Sequence, residues 1–84
     1  MVKKDGAETR RERISQIARD LQAEFYEKKK NGNKEEIVLS KFVAFEMYTT
    51  GLSKSKVMEY LGIIEEMGQC EIDPVNDKIK KSVV

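Results

Sequence analysis

The chain has 84 residues, which is enough for one modest hydrophobic core and too few for a second domain or a separate catalytic one. Apolar residues make up 39% of it and charged residues 37%; the apolar ones recur in periodic clusters, which favours a folded domain over a disordered chain. A formal charge of +1 neither identifies nor excludes an acidic partner, because it averages basic and acidic segments that can lie on different faces.

From residue 8 to residue 30, Ile14, Ile17, Ala18, Leu21 and Phe25 recur at steps of three and four and predict one long helix with a single apolar stripe. Its start is basic (Arg10, Arg11, Arg13), its end carries Lys28, Lys29 and Lys30, and Asn31-Gly32-Asn33 stops it. Residues 1–7 read as a loose tail. Ile37-Val38-Leu39 predicts a short strand. A second helix over 40–49 follows, with Ser40 as N-cap and with Phe42, Val43, Phe45 and Met47 spread so widely around it that burial on all sides is expected. Thr49-Thr50-Gly51-Leu52-Ser53 reads as a tight turn in which Gly51 takes positive φ and Ser53 caps a third helix over 53–67. Val57, Tyr60, Leu61, Ile64 and Met67 give that helix its inner face, and Gly68 ends it. Cys70-Glu71-Ile72-Asp73, the turn residues Pro74-Val75-Asn76-Asp77 and Lys78-Ile79-Lys80-Lys81 predict a hairpin over 69–81. The whole is a single α+β domain, mainly α.

The stretch LSKFVAFEMYTTGLSKSKVMEYLGIIEEMGQCEID, from Leu39 to Asp73, resembles the winged helix-turn-helix family. The marks are Gly51-Leu52-Ser53, Val57 with Tyr60-Leu61, and the Glu66-Met67-Gly68 exit into a strand. The resemblance implies double-stranded DNA as partner and transcription regulation as role, with the third helix in the major groove and the hairpin as a wing on the flanking backbone or minor groove. The residues turned outward in the first turns of the third helix suit that placement. Lys54, Ser55, Lys56 and Glu59 are the candidates for reading base edges, where lysine donates to guanine and glutamate accepts from cytosine. Ser40, Lys41, Thr49, Thr50, Lys78, Lys80, Lys81, Arg10 and Arg11 are the candidates for the DNA backbone. Lys78, Lys80 and Lys81 read equally well as guards of an exposed strand edge.

Other readings stand beside this one. Phe25, Phe42, Phe45 and Tyr60 fall on apolar faces and are expected in the core, as is Cys70, which alternates with Ile72. A winged helix can also be a protein-interaction module; exposed Val, Met and Tyr near the third helix would favour that, and clustered lysines would favour DNA. Single-stranded RNA would need exposed stacking aromatics. With no His, no glycine-rich phosphate loop and a lone thiol, neither catalysis nor a metal or other cofactor is expected. The length of the first helix suggests a homodimer through Leu21, Phe25 and Tyr26, and burial of these residues against the second and third helices of one chain is equally compatible. The lack of an apolar span or leader predicts a cytoplasmic protein.

Overall fold

The computed structural model describes residues 6–82, with side chains from Thr9 onward. Helix α1 runs Gly6–Lys30, strand β1 Glu36–Val38, helix α2 Leu39–Thr50, helix α3 Lys54–Glu66, strand β2 Cys70–Asp73 and strand β3 Lys78–Lys81. The strands form one antiparallel sheet in the order β1-β3-β2. The result is a mostly helical α+β domain in which the helices pack on one face of the sheet. Helix α1 begins earlier than residue 8 and takes in Gly6 and Ala7; the rest of the expected tail lies outside the described residues.

The stripe of α1 buries Ile17, Leu21 and Phe25, with Ile14 and Ala18 packed at its margin. Helix α3 answers with Val57, Tyr60, Leu61 and Ile64. In the sheet, the register Ile37↔Ile79↔Ile72 puts three isoleucines side by side under the helices, with Cys70 fully buried on the same face. Burial pushes the Cys70 thiol up to about 11, with a smaller contribution from the Glu65 carboxylate.

Helix α2 departs from expectation at both its start and its surface. It begins at Leu39 directly after β1, and its N-cap, Val38, has no side chain that can accept a hydrogen bond. Ser40 therefore sits inside the first turn, and the cap comes from the hairpin. The Asp77 carboxylate accepts the Ser40 N–H at 2.9 Å and the Ser40 hydroxyl at 2.6 Å, while its carbonyl accepts the Leu39 N–H at 2.9 Å. Asp77 holds φ at 54°, a left-handed conformation that Asp tolerates better than most residues. Asp77→Ala is expected to cost about 1–2 kcal/mol in urea denaturation, with Asp77→Asn retaining most of the stability.

The buried side of α2 is Leu39, Phe42, Val43 and Glu46. Phe45 is 52% exposed and Met47 37%, so the expectation of a helix buried on all sides, with Phe45 in the core, is overturned. At 100° per residue Phe45 lies round from the Leu39–Val43 line, at the margin of the buried face, where α1 and β1 flank it without covering it.

The turn to α3 follows its chemistry. Gly51 takes φ 76° and donates its N–H to the Met47 carbonyl at 3.0 Å. Ser53 then caps α3, its hydroxyl accepting the Lys56 N–H at 3.3 Å. Strand β3 lies in the middle of the sheet, so Lys78, Lys80 and Lys81 guard no edge. The edges are β1 and β2, and the Glu65 carboxylate covers part of the latter by accepting the Ile72 N–H at 2.7 Å.

Candidate nucleic-acid interface

Helices α2 and α3, joined by three residues, present their outer faces beside the tip of the β2–β3 hairpin. The side chains of Lys54, Ser55, Lys56 and Glu59 are all exposed in the first turns of α3. Lys54 forms no ion pair within the described residues, whereas Lys56 is held at 3.3 Å from Glu59, half of each side chain remaining in solvent. That pair is open to competition from phosphate, since exposed ion pairs are worth at most about 1 kcal/mol. Ser55 approaches Ser53 at 3.2 Å, hydroxyl to hydroxyl.

The candidate backbone contacts are less uniform. Ser40 shares a cleft with Lys54, but its hydroxyl is engaged by Asp77. Lys41 points away from that cleft, into a groove with Glu24 and Lys28 of α1. The Thr50 hydroxyl donates to the Glu46 carbonyl at 2.5 Å and accepts the Leu52 N–H at 3.2 Å, so it is spent on shaping the turn. The Thr49 hydroxyl reaches a Glu46 carboxylate oxygen at 3.2 Å. Lys78 pairs with Glu36 at 3.4 Å and Lys81 with Glu35 at 3.0 Å, and Lys80 stands in register between Glu36 and Glu71. The hairpin tip, Pro74 to Asp77, carries no cation. Its Asp73 is held below the ordinary carboxylate range, chiefly by the Asn76 side chain, which donates to it at 2.7 Å. Arg10 and Arg11 are exposed near the start of α1, where Arg11, Arg13 and Arg19 line a shallow basic depression.

Between α2, α3 and the hairpin tip lies a half-open cleft of about 460 Å³, walled by Leu39, Val43, Ala44, Met47, Met58 and Pro74 with Lys54 at its rim. Apolar surface and a cation without an ion pair among the described residues thus occur together here. Among the described residues no three metal-ligating side chains gather, and no helix is long and apolar enough to cross a membrane.

Comparison with family models, with curated proteins and with solved structures gives no match for this chain.

Two groups that shape this region escape a reading of the sequence. Asp77, which ties the hairpin tip to α2, is one. Glu46 is the other: it is completely buried, faces Asp20 of α1, and its Oε1 has no hydrogen-bond donor among the described residues. Burial, reinforced by Asp20, pushes its carboxyl up to about 8. The carboxyl therefore keeps its proton through neutral pH. A signal existed in the sequence, since Leu39, Phe42, Val43 and Glu46 follow the spacing of one helical face.

Proposed function

We propose that the domain is a winged helix-turn-helix that binds double-stranded DNA, as a transcription regulator, with α3 in the major groove. The observation that carries this reading is the element order α1-β1-α2-α3-β2-β3 with the sheet order β1-β3-β2, which leaves the capped start of α3 exposed beside a short hairpin tip. Lys54 and Ser55 are the first choices for base edges, and Lys56 joins them by exchanging Glu59 for the duplex. Since the lysines of β3 are balanced by Glu35, Glu36 and Glu71, phosphate contacts fall to α3 and to Arg10 and Arg11 of α1. The hairpin then supports α2 through Asp77 and contributes shape at the flanking groove.

Fluorescence anisotropy with random and selected duplexes across a salt series tests this. Wild type is expected to bind with a salt-dependent affinity, and a Lys54→Ala/Lys56→Ala variant to lose about tenfold or more and to reduce the salt slope by about two. Absence of wild-type binding at low salt would overturn the DNA reading.

A second reading, a winged helix that grips protein, is favoured by the cleft at the rim of which Lys54 lies. Its walls are largely apolar, and Met47 among them is 37% exposed.

A further inference from the structure

Because β1 passes into α2 at Val38–Leu39 without a loop, a second groove opens between β1, α2 and the last turns of α1, away from the start of α3. Ile37 and Phe42 form its floor, Val38 and Phe45 its exposed walls, and its volume is about 290 Å³. An engineered cavity of about 150 Å³ holds a benzene molecule, so this groove has room for a phenyl ring. Phe45, half in solvent, stands directly beside it, and Tyr48, 89% exposed, follows one turn along α2. The rim carries Glu24 and Lys28 of α1 and Lys41 of α2, and none of the three forms an ion pair within the described residues.

We infer that this groove is the self-association surface of the chain, and that two copies meet across a two-fold axis with the Phe45 ring of each in the groove of the other. A two-fold interface must offer knob and hole, and both signs of charge, on one patch, because every contact occurs twice. This patch does. Phe45 is the knob, the Ile37–Phe42 floor is the hole, and Glu24 of one copy meets Lys41 of the other. A partner of one sign would leave either Glu24 or both lysines of the rim unanswered, whereas a second copy answers Glu24 and, of the two lysines, Lys41. The inference is independent of DNA, and it assigns Lys41 to the partner copy and not to phosphate.

Sedimentation velocity without DNA, over a protein series from about 1 µM to about 1 mM, tests it. Wild type is expected to pass from monomer to dimer within that range. Phe45→Glu is expected to stay monomeric with unchanged helical circular dichroism, because the position is half-exposed. Glu24→Lys and Lys41→Glu should each weaken the dimer at least tenfold, and the double swap should return it to within about threefold of wild type. A wild type that remains monomeric at the highest concentration, a dimer that survives Phe45→Glu, single swaps without effect, or a double swap that recovers nothing would each overturn the assignment. None of these outcomes depends on DNA binding.

Discussion

Glu46→Gln is expected to stabilise the domain, and to do so increasingly as pH rises from about 5 to about 8. In the unfolded chain this carboxyl ionises near its ordinary value of 4.5, whereas burial and Asp20 hold it protonated to about 8 in the folded chain. Below 4.5 both states carry the proton and the stabilisation associated with it is complete. Between the two values the unfolded state loses the proton and the folded state keeps it, so stability falls by as much as about 1.4 kcal/mol per pH unit until the folded group ionises. Glutamine removes the titration and keeps the shape: its amide donates to Asp20 and its carbonyl accepts the Thr49 hydroxyl. The variant should exceed wild type by on the order of 3 kcal/mol at pH 8 and approach it at pH 5. Urea denaturation at half-unit steps measures this, and parallel curves for the two proteins would refute it. The other shifted groups lie outside the window. Asp73 acts below the ordinary carboxylate range, where its stabilisation is lost as pH falls, and Cys70 acts on the way up to about 11.

The same residue marks where the sequence stops being legible. The stripes of α1 and α3 could be read because each has one apolar face and one polar face, so the buried side is unambiguous. Helix α2 is apolar around most of its surface, and nothing local distinguishes Phe45, which faces solvent, from Phe42, which does not. A carboxylate inside that stripe is hidden by the strong expectation that glutamate stays outside. The turn at Gly51 and the cap at Ser53 were legible because both bonds close within four residues. The Asp77 cap was not, because its partner, Ser40, lies 37 positions away. The candidate interface divides in the same way. Exposure of Lys54, Ser55 and Lys56 follows from helical periodicity, and the Lys56–Glu59 pair follows from a spacing of three. Neutralisation of Lys78 and Lys81 follows from the β1–β3 register, which a strand-by-strand reading does not contain.

That register bears on the DNA-binding proposal, under which the β3 lysines, facing the carboxylates of the neighbouring strands, leave orientation on a duplex to the placement of α3 relative to α1. That placement rests on the shared core of Ile17, Leu21, Phe25, Val57, Leu61 and Ile64.

Phe25→Ala is expected to lower stability by about 3–5 kcal/mol, a large part of what a domain of this size possesses. The ring is 1% exposed and belongs to the cluster that joins α1 to the sheet and to the other helices. Leu21 is likewise fully buried, so of the three residues that suggested a dimer along α1, Tyr26 alone, at 65% exposure, is available to a partner. The distinction can be measured. A residue at a dimer interface loses stability in proportion to the logarithm of protein concentration, whereas a residue inside one chain loses it at every concentration. Phe25→Ala should therefore shift the urea midpoint equally in dilute and concentrated samples, while Tyr26→Ala stays within about 0.5 kcal/mol of wild type. A Phe25→Ala deficit that vanishes on dilution would return that side chain to an interface. A large Tyr26→Ala deficit that appears only in concentrated samples would place a dimer contact on α1, away from the groove beside Phe45.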